Sequence, residues 1–339
     1  MTHLTFLEAG VVGLIQGVTE LFPVSSLGHN VLLPALIGGS WAKDLSVAKP
    51  ESPYLAFIVG LHVATAIALL IYFWRDWIRI IGGFVSSVGQ FVSPARGTTR
   101  WQLRSADERL AWMVILATIP VGIVGLAFEH AFRVIFGKPI YAAVFLVVNG
   151  LILIAGERFR RRSSVEADQQ IAAERDLAGS GTAPSGVGRH ASGHQVTRNT
   201  ELVQAVAADR RLSMIGQVEA VIIGTAQVLA LLAGISRDGV TMVAGMYRGL
   251  SREDAARFAF LLATPVILAA GVLKMPDLMG PHGDGIRGQV LFGSVLSGVG
   301  AYLSVRYLVR YFQTRTLTPF GIYCLVAGAA SIVYLGLIK

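Results

Sequence analysis

Apolar residues gather into long runs along this chain, and short polar or basic segments separate them. Six runs are long enough to cross a bilayer, which takes about 20 mostly apolar residues. They cover roughly Tyr54–Trp74, Leu110–Phe128, Ile140–Gly156, Ala255–Leu273, Gln289–Leu308 and Phe320–Ile338. Two further runs are interrupted near their middles. Residues 4–37 carry Glu20, Pro23, Ser25, Ser26 and His29, and residues 217–247 carry Gly234, Ser236, Arg237 and Asp238. Proline or glycine among polar residues breaks a helix, and each ionisable group at mid-bilayer costs about 2.5–3.5 kcal/mol on insertion scales. The pattern therefore predicts two re-entrant hairpins of half-helices, because irregular backbone at that depth survives only when protein or water surrounds it.

The two interrupted runs match without gaps at an offset of 211: Glu8/Glu219, Ala9/Ala220, Gly13/Gly224, Gln16/Gln227, Leu21/Leu232, Ser25/Ser236 and Gly28/Gly239 are identical. Each hairpin is followed by three predicted spans. Three is odd, so the second half starts from the opposite face. The expected architecture is an all-α polytopic membrane protein with six transmembrane helices and two re-entrant hairpins in an inverted-topology repeat, the arrangement that places a site between broken helices near the midplane. Residues 1–156 form the first repeat, 157–213 a flexible cytoplasmic linker rich in Ala, Gly, Ser and Gln, and 214–339 the second repeat.

Composition agrees with the hydropathy. Charged residues are 15% of the chain and hydrophobic ones 53%, against about a quarter charged in soluble domains. The net charge of +8 fits basic loops beside anionic lipid rather than a nucleic-acid surface. Of the 29 Lys and Arg, 21 fall in segments 75–109, 157–213, 248–257 and 306–319. The positive-inside rule makes that face cytoplasmic. Both termini and the mouth of the first hairpin are then expected outside. Residues 1–8 lack the basic start of a signal peptide, and the single cysteine, Cys324, excludes an internal disulfide framework or a cysteine metal site.

The interruptions carry the candidate chemistry. Gln16 and Glu20 stand four apart on one helix face. Ser25 and Ser26 sit where a half-helix starts, with His29 one turn on. Ser236 and Arg237 occupy the matching corner of the second hairpin, flanked by Gly234 and Gly239. Half-helix N-termini and an arginine fork suit phosphate. Ser25 or Ser26 with His29 could supply nucleophile and base, and Glu20 could act as acid/base or hold a divalent cation. His62 is read as a packing residue, and Thr241 and Arg248 as structural.

The run Gly17–His29, read as E/Q-x-x-x-E followed by P-V-S-S-x-G-H, resembles the first signature of the undecaprenyl pyrophosphate phosphatases, the bacitracin-resistance family. Ala233–Thr241 resembles the second, P-G-x-S-R-S-G-x-T, and Ala255–Pro265 is also similar to the family. The resemblance implies a multi-pass phosphatase of the bacterial inner membrane that converts a polyprenyl diphosphate lipid to its monophosphate. That reaction recycles the carrier for peptidoglycan and confers bacitracin resistance. The family further implies magnesium, or another divalent cation such as Ca²⁺, an outward-opening site, and a homodimer.

Carried over, Glu20 is the essential acid and metal ligand, Ser26 the nucleophile or phosphate hydrogen-bonder, His29 the acid/base and Arg237 the diphosphate clamp. Gln16, Ser25, Gly28, Gly234, Ser236, Asp238, Gly239 and Thr241 line the substrate. The chain departs from the pattern at Gln16, the allowed amide variant, at Ala233 for proline, and at Asp238 for serine. The rival expectation is a transporter that flips a lipid phosphate without hydrolysing it, since inverted repeats and broken helices also build transporters.

Overall fold

A capping box opens the first helix: Thr5 Oγ accepts the Glu8 N–H at 3.2 Å, and the Glu8 carboxylate accepts the Thr5 N–H at 2.8 Å. From there the computed structural model describes residues 4–45, 53–92, 103–136, 138–177, 212, 215–280 and 285–338, and among these it contains helices and no strand. In order they are α1 (Phe6–Thr19), α2 (Ser26–Ile37), α3 (Gly39–Asp44), α4 (Pro53–Tyr72), α5 (Trp74–Val92), α6 (Ala106–Phe136) and α7 (Pro139–Leu177). After residue 215 come α8 (Gln217–Ala226), a 3₁₀ turn (Gln227–Leu231), α9 (Arg237–Tyr247), α10 (Arg252–Met279), α11 (Arg287–Thr314) and α12 (Thr318–Ile338).

Five helices are long and apolar enough to cross a membrane: Ala106–Phe128, Pro139–Arg162, Arg252–Leu273, Arg287–Thr314 and Thr318–Leu337. The expected span Tyr54–Trp74 differs. Its helix breaks at Phe73, and Phe57–Tyr72 bends by 84° into Trp74–Gln90, so the pair makes at most a sixth, broken span. Segment 75–109 is expected only as a basic cytoplasmic connection. In the structure α5 occupies much of it, with Ile78, Ile81, Val85 and Val88 exposed along one stripe. That spacing is amphipathic, and the arginines and aspartate among it mask it from a search for uniform apolar runs. A second difference concerns the expected linker. Helix α7 runs on through 157–177, and Glu157 within it is buried and paired with Arg252 of α10. The rest of that stretch, 178–211, lies outside the described residues.

Both interrupted runs are broken helices. Helix α1 stops at Thr19, four residues before Pro23, which has no N–H for the Thr19 carbonyl and whose ring would clash with it in a continued helix; Glu20–Val24 form turns and α2 restarts at Ser26. In the second run the 3₁₀ turn ends at Leu231 and α9 restarts at Arg237. Helix α1 packs on α11, and α8 on α6; α4 faces α10 and α7 faces α12. Small residues permit these approaches, since packing between membrane helices depends on close backbone contact. A Cβ on Gly13 would lie 2.4 Å from the Gly293 carbonyl oxygen, and one on Gly224 would lie 2.0 Å from that of Ala117.

Candidate active site

The two broken helices meet at their turns. Ser25 is the N-cap of α2 and its Oγ accepts the Gly28 N–H at 3.2 Å. Ser236 is the N-cap of α9 and accepts the Gly239 N–H at 3.1 Å. Ser25 Oγ also accepts the Gly234 N–H from the opposite turn, at 3.2 Å. Gly234 has a φ of +112°, and a Cβ on Gly28 would come within 2.9 Å of its Cα, so both positions need glycine. Asn149 of α7 closes the joint. Its amide donates to the Pro23 carbonyl at 3.0 Å, and its oxygen accepts the Ser236 N–H at 3.0 Å.

This joint puts charges from both hairpins side by side. Glu20, at the end of α1, is buried. One carboxylate oxygen accepts from Arg237 Nη2 at 2.9 Å; the other accepts from Gln16 at 2.7 Å and from the Ser26 hydroxyl. The i,i+4 spacing of Gln16 and Glu20 is thus a direct contact. Gln16 in turn accepts from the Asn30 amide at 2.6 Å. Arg237 Nε faces Asp238 at 3.5 Å. Asp238 is buried, and among the described residues neither of its oxygens has a hydrogen-bond partner.

Glu20, Ser26, Gln16, Arg237 and Asp238 therefore form one cluster. Ser25, Gly28, Gly234, Ser236 and Gly239 build the joint behind it. Thr241 donates to the Arg237 carbonyl at 2.7 Å and braces the first turn of α9. His29 is placed differently from the reading that paired it with a serine hydroxyl. Its Nδ1 lies 2.7 Å from the Ser25 carbonyl oxygen, and its Nε2 lies 2.8 Å from the Tyr323 hydroxyl of α12. The proton of Ser26 faces Glu20 instead.

Sequence reasoning missed two members. His62 of α4, read as packing, directs Nε2 at Glu20 from 3.4 Å while Nδ1 lies 2.8 Å from the Ile58 carbonyl oxygen. Asn149 drew no attention. Both were visible as polar groups inside apolar runs, and such groups in a spanning segment are functional candidates by default.

The cluster can do acid–base and phosphate chemistry: a carboxylate holding a hydroxyl proton, and an arginine at the start of a helix whose dipole favours anions. Among the described residues no group of three or more His, Cys, Asp or Glu is poised to cage a metal.

Residues 9–183 and 191–330 match the family described as "Bacitracin resistance protein BacA". The chain is 57% identical over 335 residues to the undecaprenyl-diphosphatase of Mycolicibacterium paratuberculosis, covering 99% of each. It is 54% identical over 344 residues to undecaprenyl-diphosphatase 2 of Frankia alni, covering 97% of each. With undecaprenyl-diphosphatase 2 of Burkholderia orbicola the identity is 37% over 318 residues, covering 94% of this chain and 92% of the relative. With its two broken helices and their shared charged cluster, this chain belongs to the bacitracin resistance protein BacA family.

Proposed function

We propose that this protein is a multi-pass membrane phosphatase that hydrolyses undecaprenyl diphosphate to undecaprenyl phosphate. The carrying observation is the buried Glu20, which holds the Ser26 hydroxyl and the Arg237 guanidinium from opposite hairpins, in a chain similar to undecaprenyl-diphosphatases along nearly its whole length. In the cell this reaction returns carrier lipid to envelope synthesis, and abundance of the enzyme gives bacitracin resistance.

Arg237 and the α9 N-terminus receive the terminal phosphate, which competes with Glu20 for the arginine fork. Glu20, released from Arg237, takes the proton of Ser26 as its oxygen bonds to the terminal phosphorus. The P–O–P bridge breaks, and undecaprenyl phosphate leaves with the bridging oxygen. Water then cleaves the phosphoserine, Glu20 returns the proton to Ser26, and inorganic phosphate departs. His29, hydrogen-bonded to Tyr323, serves as the acid/base on the leaving side. A divalent cation such as magnesium would neutralise charge on the diphosphate. Magnesium keeps few protein ligands when substrate phosphates complete its shell, and Glu20 and Asp238 fit that role, the latter with both oxygens free of hydrogen bonds.

The same proposal includes six spans and two re-entrant hairpins, in repeats of 1–156 and 214–339 joined by 157–213, of which 157–177 continue α7. Three matched details support the repeat. Helix α1 on α11 corresponds to α8 on α6; Gly13 and Gly224 each face a neighbouring backbone; Ser25 and Ser236 make the same cap. The basic-residue asymmetry supports an inner membrane location with both termini and the site mouth outside. The test is phosphate release from a C55 diphosphate by purified protein in detergent, with magnesium and with chelator. Release that depends on the cation is expected; no release under either condition overturns the proposal.

A further inference from the structure

Far along α11 from its packing against Gly13, its last turns and the turn into α12 border an open groove of about 870 Å³. Arg306, Arg310 and Arg315 line it with Tyr307 and Tyr311, and Leu303 and Pro319 supply apolar wall. No acidic residue lines it. None of the three arginines makes an ion pair among the described residues. Six guanidinium groups elsewhere do pair with carboxylates: Arg79 and Arg257 on Asp76, Arg161 and Arg252 on Glu157, Arg248 on Glu219, Arg237 on Glu20. Three exposed arginines without a carboxylate partner, lining one groove beside Tyr307 and Tyr311, offer guanidinium donors that match a phosphate or other oxyanion.

Position specifies what bears that anion. Arg310 and Arg306 precede the end of α11 at Thr314 by four and eight residues, roughly 6 and 12 Å along the axis at about 1.5 Å per residue. A helix of 28 residues is about 42 Å long and exceeds an about 30 Å hydrocarbon core, which leaves its last turns at the level of the lipid headgroups. Leu303, one turn further in, is 58% exposed, so the apolar wall continues into the hydrocarbon.

The geometry points to a second lipid site, distinct from the Glu20 cluster, that takes the phosphate headgroup of an anionic membrane lipid in the fork of Arg306, Arg310 and Arg315. The groove also adjoins the first hairpin. Tyr307 stacks on Phe22 at 6.1 Å and 9°, and Phe22 sits in the turn between Glu20 and Ser26.

The test measures retention of phosphatidylglycerol by the full-length protein in detergent, with phosphatidylcholine and inorganic phosphate as competitors. Wild type is expected to prefer phosphatidylglycerol to both. The triple variant R306Q/R310Q/R315Q is expected to lose at least about tenfold in affinity, the equivalent of one charge-assisted hydrogen bond, with diphosphate hydrolysis in lipid-free micelles unchanged. The triple lysine variant keeps the charge that guides insertion but not the forked geometry, and is expected to fall between the two; it decides the matter if the glutamine variant does not insert. Undiminished retention in the glutamine variant, or in the lysine variant where that one decides, overturns the site. Displacement by phosphatidylcholine as effective as by phosphatidylglycerol overturns the anion preference. Displacement by inorganic phosphate at equal concentration overturns the lipid and assigns a free-anion site.

Discussion

The two hairpin turns are built alike and equipped differently. At each, a serine caps the following helix through the N–H three residues on, and a glycine lies one turn along. The positions between diverge. Offset by 211, Glu20 corresponds to Leu231, Ser26 to Arg237 and Leu27 to Asp238. The first turn thus supplies the carboxylate and the hydroxyl, and the second supplies the guanidinium. Even the shared glutamine differs: Gln16 bridges Glu20 and Asn30, while Gln227 is buried with neither amide atom hydrogen-bonded. A duplicated backbone can therefore hold two unlike half-sites, with Arg237 shared between Glu20 across the joint and Asp238 beside it.

That division is broken most severely at Glu20. Glu20→Gln preserves shape but removes the charge that holds Arg237 and the acceptor for the Ser26 proton. Phosphate release is expected to fall by about 10²–10⁴-fold, the range for loss of a positioned acid/base. Leu231→Ala, the counterpart in the second turn, is expected to leave kcat within a few-fold of wild type. Equal losses at the two positions would sink the idea that the proton-accepting carboxylate sits in the first turn alone.

Packing of the two halves sharpens the likeness. Gly13→Ala would drive a methyl into the Gly293 backbone, and Gly224→Ala into the Ala117 backbone. Each is expected to destabilise by about 1–3 kcal/mol, as overpacking does, read as a lower thermal midpoint in detergent. A tolerated alanine at only one of them would show that the two helix crossings are not equivalent.

Next in size is Asn149, which ties the turns together through Pro23 and Ser236. Asn149→Leu removes three buried hydrogen bonds, to Pro23, Ser236 and the Cys324 thiol, each about 0.6 kcal/mol on average and up to about 1.7 in membrane proteins. The expected signature is a modest stability loss with a larger fall in kcat than change in KM, because the Arg237 fork moves relative to Glu20. An unchanged kcat would confine Asn149 to structure.

How much of this the sequence disclosed depends on distance along the chain. The breaks were legible because proline, glycine and polar residues act locally on a helix, and the Gln16–Glu20 contact because four residues is one helical turn. Five long spans were legible from apolar length alone. Contacts between remote segments were not. His62 reaches Glu20 only because α4 is packed near α1, Asn149 bonds a turn 126 residues away, and His29 meets a tyrosine 294 residues away. Such partners follow from tertiary placement, on which a lone polar residue in an apolar run is silent. Helix α5 was hidden for a different reason: its apolar stripe alternates with charge, so average hydropathy reads it as a loop.

The finest distinction lies in the caps. Ser236 has an ordinary extended backbone, with φ −84° and ψ 124°. Ser25 has φ 69°, the only non-glycine residue with positive φ among those described, and it accepts a second N–H from Gly234. Ser236→Ala is expected to cost about 1 kcal/mol, as loss of a cap does. Ser25→Ala loses the one oxygen that accepts two N–H groups and keeps the strained backbone, so about twice that is expected. Glycine separates the contributions. At position 25 it removes a left-handed penalty of about 1–2 kcal/mol and should regain much of the alanine loss, whereas at 236 there is no such strain to relieve. Thermal unfolding of the four variants in one detergent measures this directly. If glycine rescues both positions equally, Ser25 is not strained, and the two turns are closer copies than their backbone angles indicate.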